Sequence, residues 1–187
     1  ERFVIKTPLP RFRRSREHIA HLRWEEGVGK KIQHARIIKI YEFGIERGTP
    51  YLALEWFAAP NMKQRILQGT APLLHLIPKV IEYSAEALGY FNHMGWVHRD
   101  VKPNNFLVSD EGEVKLIDFA LARKASRGVG KLLRRKPKIQ GTRSYMAPEQ
   151  IRGAAPDVRS DVYSFGCTIY ELLSGKLAFT GTSADEL

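Results

Sequence analysis

The chain has 187 residues, 43% hydrophobic and 27% charged, the composition of an ordinary soluble globular protein and enough length for one sizeable core or two small lobes. Lys and Arg number 30 against 20 Asp and Glu, a formal charge of +10 that favours polyanionic partners such as ATP, acidic substrates, nucleic acid or anionic lipid. The one cysteine, Cys167, excludes an internal disulfide. The sequence also holds no apolar run long enough to cross a bilayer and no signal peptide, so the expected location is cytoplasmic, with any membrane anchor lying elsewhere in a longer parent.

Residues 2–6 alternate enough for a strand. Residues 15–31 carry charged and apolar side chains at helical spacing, with Gly27 and Gly29 weakening the helix from within. Residues 37–45 and 50–57 are strand-like and flank Arg47-Gly48-Thr49, which predicts a hairpin. Ala58-Ala59-Pro60-Asn61 breaks the pattern and reads as a linker. Ile77, Val80, Ile81, Ser84, Leu88 and Phe91 then follow a 3.6-residue period, with Pro78 tolerable in the first turn and Gly95 as a stop. Residues 106–108 and 114–117 flank Asp110-Glu111-Gly112, a second hairpin. That hairpin places Asn105 at one end and Asp118 at the other, which brings two oxygen ligands together. Residues 162–173 predict a strongly apolar helix ended by Gly175, with Cys167 as a small core residue.

Between the two long helices lies His98-Arg99-Asp100-Val101-Lys102-Pro103-Asn104-Asn105. A carboxylate, a cation and a carboxamide at this spacing suit phosphoryl transfer. That reaction needs an acceptor for a substrate hydroxyl, a positive charge for the phosphoryl group and an oxygen ligand for Mg²⁺. The run resembles the catalytic loop of protein kinases, with Val101 where Leu is usual. Other motifs of that family follow in order: Asp118-Phe119-Ala120, close to Asp-Phe-Gly; Ala147-Pro148-Glu149; and Asp161 in Ser160-Asp161-Val162-Tyr163-Ser164-Phe165-Gly166. Upstream, Phe3-Val4-Ile5-Lys6 resembles the strand bearing the ATP-contacting lysine, and Glu25 lies 19 residues after Lys6, where the family has a helix C glutamate. The segment 141–150 and the final residues 179–187 are similar to bacterial, eukaryotic-like (Hanks-type) serine/threonine kinases.

The resemblance implies an α+β, two-lobed kinase fold. Residues 1–57 would form a small, mostly β lobe with helix C, and residues 58–187 a larger, mostly α lobe. The fold would be truncated at both ends, because the Gly-rich loop would precede Glu1 and the last helices would follow Leu187. The expected activity is Mg²⁺-dependent transfer from ATP to a protein Ser or Thr, with this excerpt weakly active or inactive. Asp100 would be the catalytic base, and Lys102 would stabilise the γ-phosphate. Asn105 and Asp118 would hold the metal. Lys6 would contact the α- and β-phosphates and pair with Glu25. Leu54 would gate the adenine pocket, and Glu55, Trp56 and Phe57 would form the hinge, although Trp56 and Phe57 could equally be core residues. Arg99 would meet a phosphorylated loop residue, with Ser126, Thr142 and Ser144 as candidate autophosphorylation sites. Ala120 in place of Gly would bias the Asp118-Phe119 segment toward one conformation.

Three alternatives compete. A pseudokinase or scaffold module is opposed by the complete set Lys6, Glu25, Asp100, Lys102, Asn105 and Asp118. A small-molecule phosphotransferase is opposed by the peptide-site segment 141–149. A nucleic-acid-binding protein rests on charge alone. The basic residues of 118–149 and the cluster Arg11, Arg13, Arg14 and Arg16 read as solvated segments, with no specific nucleic-acid site. Gly27-Val28-Gly29-Lys30 and Gly128-Val129-Gly130-Lys131 lack the spacing and the following Ser or Thr of a Walker loop.

Overall fold

The computed structural model describes residues 2–125 and 143–180; Ser126 and Thr142 lie outside them. The first layer is an antiparallel sheet of β1 (Phe3–Lys6), β2 (Ile40–Glu46) and β3 (Thr49–Glu55), in the order β1-β3-β2. Val4 pairs with Leu54 and Lys6 with Leu52. Because side chains alternate along a strand, Val4 and Lys6 share one face. The β2–β3 turn is Arg47-Gly48, and both residues have positive φ (49° and 75°). That is the geometry of a two-residue hairpin matched to strand twist. The strand expected over 37–45 starts later: Ile37 only bridges Leu116 in parallel, and pairing with β3 begins at Ile40.

The helix expected over 15–31 is α1 (Arg16–Gly29), with Ser15 as its N-cap, accepting from the His18 amide at 3.5 Å. Its two glycines differ in kind. A Cβ on Gly27 would meet nothing within 4 Å, whereas one on Gly29 would lie 2.6 Å from Ile40 Cδ1. Gly29 therefore lets α1 approach β2, and Gly27 serves no packing purpose.

The presumed linker leads straight into a helix the periodicity did not reveal, α2 (Met62–Gln68). Asn61 accepts from the Gln64 amide at 2.9 Å and Gln64 reciprocates at 2.9 Å, a capping box written as Asn-x-x-Gln. After a 3₁₀ stretch (Ala71–Leu76), α3 (Ile77–His93) runs with Pro78 in its first turn. The short strand β4 (Trp96–Val97) enters the catalytic loop, and β5 (Phe106–Val108) and β6 (Val114–Leu116) form the second hairpin. Strand β7 (Arg123–Lys124) pairs antiparallel with β4. Beyond residue 142 come α4 (Pro148–Ile151) and α5 (Val158–Ser174), the latter capped by Asp157 and ended by Gly175 at φ 70°. Helix α5 starts earlier than expected, so Asp161 sits in its first turn. Cys167 is buried within it.

One core of buried apolar side chains joins the layers, from Leu22 and Val28 through Leu52 and Leu54 to Phe91, Phe106, Leu116 and Phe119. No helix among the described residues is long and apolar enough to cross a membrane.

The two glycines of α1 give an opposed pair of outcomes in denaturant unfolding. Gly27→Ala is expected to stabilise by about 0.5–1 kcal/mol through helix propensity. Gly29→Ala is expected to destabilise by roughly 1 kcal/mol, because overpacking against Ile40 outweighs the same propensity gain.

Candidate active site

The first two amides of the loop at residues 98–105 share one buried acceptor. Asp161 is 1% exposed and accepts from the amides of His98 (2.7 Å) and Arg99 (2.9 Å) and from Asn92 Nδ2 (2.8 Å). Burial pushes its pKa up, while nearby His98 and these donors favour the anion. With both amides pinned, Arg99 adopts φ 71°, a left-handed conformation that a long side chain rarely takes unaided. The chain reverses there and presents Asp100 upward. His98 is fully buried; its Nε2 lies 3.2 Å from the Ile117 carbonyl and its Nδ1 3.4 Å from the Asp100 amide. Both ring nitrogens of His98 thus face backbone groups. Its place is architectural.

Asp100, Lys102 and Asn105 converge. Lys102 Nζ donates to Asp100 Oδ2 at 2.7 Å, and Asn105 Nδ2 donates to the Asp100 carbonyl at 2.7 Å and to Oδ2 at 3.2 Å. Both donors engage the same carboxylate oxygen, and Oδ1 has no donor among the described residues. Fixing the Asn105 nitrogen also leaves its Oδ1 without a hydrogen-bond donor among the described residues. The Ile117 amide donates to the Asn105 carbonyl at 2.9 Å, so the hairpin ends are stitched together and Asp118 follows directly. The Asp118 carboxylate and Asn105 Oδ1 are hard oxygens at the adjoining ends of the β5–β6 hairpin, the donor chemistry that suits Mg²⁺. The chain's residues fit such an ion.

Across the cleft, Lys6 Nζ lies 2.9 and 2.8 Å from the two Glu25 oxygens and 3.1 Å from Asp118 Oδ1. Burial opposes charge on Lys6, but the two carboxylates outweigh it and raise its pKa. Burial likewise opposes ionisation of Asp118, yet Lys6 holds its pKa below the ordinary value. Glu25 is 1% exposed, and burial pushes its pKa up against the pull of Lys6. Asp118 has φ 67°, and its neighbour Phe119 is fully buried against Phe91 (centroids 5.4 Å) and His98 (6.1 Å). Ala120 is not among the residues with positive φ, and its amide donates to Asp118 Oδ1 at 3.3 Å. In this conformation the residue needs no glycine.

These groups open on a cleft of about 820 Å³ lined by Val4, Lys6, Ile38, Leu54, Glu55, Trp56, Phe57, Leu107, Ile117 and Asp118. Leu54 is buried at its back. The Glu55 side chain turns away to Lys115 Nζ (2.7 Å) and the Lys39 amide (3.1 Å), so this stretch offers the cleft its backbone. Trp56 is 48% exposed, which removes the core alternative for it; Phe57 is partly buried against the core.

Two features escaped the sequence reading. Glu171, buried in mid-α5, is hydrogen-bonded by Lys63 of α2 and by the Tyr145 hydroxyl, and burial together with this carboxylate pushes the Tyr145 pKa far up. An acid amid apolar helix positions was the available signal. The other is Trp24, whose indole N–H donates to the Ala122 carbonyl at 2.8 Å. No local pattern marks it. Of the basic residues in 118–149, those between 126 and 142 lie outside the described residues, as does Gly128-Val129-Gly130-Lys131.

The chain matches the protein kinase domain family over residues 1–187. It is similar to the serine/threonine-protein kinase PknL of Mycobacterium tuberculosis, 33% identical over 97% of this chain and 45% of that protein. It is similar also to PknB of the same species, 36% identical over 92% of this chain and 26% of that protein. A probable PknB of Bifidobacterium longum is 33% identical over 89% of this chain and 25% of that protein. The chain thus spans less than half the length of these relatives.

The load on Asp161 is measurable. Asp161→Ala leaves two buried amides without acceptors and is expected to destabilise the chain by about 2–5 kcal/mol in denaturant unfolding. A loss under about 0.5 kcal/mol would show that these amides find other partners.

Proposed function

The chain belongs to the protein kinase domain family, and from that premise we propose that it transfers the ATP γ-phosphoryl group to serine or threonine hydroxyls of a protein. The observation that carries this reading is a pair of charge clusters, Lys6 with Glu25 and Asp118, and Asp100 with Lys102 and Asn105, joined where the Ile117 amide, next to Asp118, donates to the Asn105 carbonyl. The lobes divide at residues 57 and 58, and the cleft lies at that junction.

Each residue has a task its contacts support. The hinge backbone around Glu55 and Phe57 receives the adenine, with Leu54 closing the pocket behind it. Lys6, oriented by Glu25, holds the α- and β-phosphates. Asp118 and Asn105 Oδ1 would hold Mg²⁺, which would supply positive charge to the phosphates. Asp100 Oδ1 accepts the hydrogen bond of the attacking hydroxyl and orients it in line, and takes up its proton as the new O–P bond forms and the bond from the γ-phosphorus to the bridging oxygen breaks, with ADP leaving. Lys102, already beside Asp100, supplies a positive charge to the phosphoryl group as charge develops on its oxygens. A lysine at this position supports Ser or Thr, not Tyr, as acceptor, by likeness to the serine/threonine pattern. Arg99 is the candidate docking point for a phosphate on Ser126, Thr142 or Ser144; of the three, only Ser144 lies among the described residues, half-buried in the 3₁₀ turn Arg143–Tyr145.

The test is transfer of label from γ-labelled ATP to a generic basic protein and to the chain itself. Label is expected on Ser or Thr, to vanish on chelation of Mg²⁺, and to fall by about 100-fold or more in Asp100→Asn and Lys6→Met. Label that persists in both variants would overturn the assignment. Nucleotide binding without transfer would favour a scaffold module of the same fold.

A further inference from the structure

Glu25 can orient Lys6 only while α1 keeps its position, and α1 is held from two directions. Against β2, Gly29 meets Ile40, Glu26 Oε1 accepts from the Phe43 amide at 3.1 Å and Arg23 lies over the Phe43 ring at 5.0 Å. Toward the segment that follows Phe119, α1 is tied by the residue preceding Glu25. Trp24 donates its indole N–H to the Ala122 carbonyl at 2.8 Å. The Arg123 guanidinium lies over its ring at 4.7 Å, and Trp96 meets it edge-on at 6.0 Å. Lys124 continues the stack, with Nζ 4.7 Å from the Trp96 ring and 2.9 Å from the Met94 carbonyl. Strands β4 and β7 pair through the same residues, Trp96 with Lys124 and Val97 with Arg123, and His98 comes next. The indole is therefore where α1, the segment after Asp118 and the approach to the catalytic loop meet.

We propose that Trp24 is a positioning residue for the phosphoryl-transfer reaction: its indole ties α1 to the Ala122-Arg123 backbone and so sets whether Glu25 reaches Lys6. The inference rests on the kinase reading for its chemistry, but the tether itself does not. The Ala122 carbonyl also accepts from Arg123 Nη1 at 2.7 Å. Loss of the indole leaves that buried carbonyl hydrogen-bonded, so the consequence falls on the position of α1 and not on a stranded polar group. Hydrogen bond and cation–π contact act on one ring, and they can be separated. Trp24→Phe keeps an aromatic face for Arg123 and Trp96 but removes the donor; Trp24→Leu removes both.

Two measurements on the full chain decide it. The first needs no turnover: the acylation rate of Lys6 by an amine-reactive reagent, read by mass spectrometry against exposed Lys176. Trp24→Leu is expected to raise the relative rate at Lys6 severalfold, with Trp24→Phe intermediate, because Lys6 loses its carboxylate partner. The second is kcat/KM for ATP in a double-mutant cycle. Trp24→Leu is expected to lower it about tenfold beside Glu25 and less than about twofold in a Glu25→Gln background. Unchanged relative acylation of Lys6, or an equal kinetic loss in both backgrounds, would overturn the proposal and leave Trp24 a merely structural residue. A full-length parent protein that transfers no phosphate would sink the kinase reading, and the acylation result would still decide the tether.

Discussion

A carboxylate taken out of water must be supplied with donors or remain protonated, and Asp161 finds three. Two are consecutive backbone amides of the catalytic loop, and the third is an α3 side chain. That arrangement couples the start of α5 to the end of α3 and to the loop between β4 and β5. It also accounts for the left-handed Arg99, because a peptide whose flanking amides are both committed has little freedom to relax. Asp100, Lys102 and Asn105 inherit their directions from this reversal. The residues that would meet substrate are therefore fixed by one that does not.

The opposite wall is organised around a shared cation. Lys6 is bound by Glu25 from α1 and by Asp118 from the turn after β6, elements brought together only by tertiary packing. Charge neutralisation in a half-buried site makes the three groups interdependent: Lys6 holds Asp118 ionised, and the two acids hold Lys6 protonated. Phe119 seals the arrangement beneath by packing on Phe91 and His98. His98 thereby touches both walls, through its ring to Phe119 and through its backbone to Asp161. The two charge networks are joined by one buried aromatic cluster.

Much of this was legible as pattern. The hairpin turn signal at Asp110-Glu111-Gly112 placed Asn105 and Asp118 at adjoining ends, and the Ile117–Asn105 hydrogen bond realises it. The 3.6-residue period of α3 and the motif around Asp161 located the scaffold of the loop. What was not legible depends on partners distant in sequence. Nothing near Trp24 points to Ala122, and nothing near Lys63 points to Glu171. The difference between Gly27 and Gly29 is likewise invisible until β2 is laid beside α1. Helix α2 is an intermediate case: its period is too short to register, but its Asn-x-x-Gln cap was written in the sequence. For Trp56 the sequence left hinge and core both open, and its 48% exposure at the edge of the cleft removes the core alternative.

The central claim is that the hairpin brings Asn105 and Asp118 together to serve a metal-bound nucleotide, with Lys6 beside Asp118 to meet its phosphates. It is tested most directly by calorimetric titration of ATP into the full chain and into Asp118→Asn, each with and without Mg²⁺. The account predicts that Mg²⁺ tightens binding to the unaltered chain, and that the variant loses this increment while it retains metal-free affinity. An Mg²⁺ increment of the same size in both proteins would contradict it.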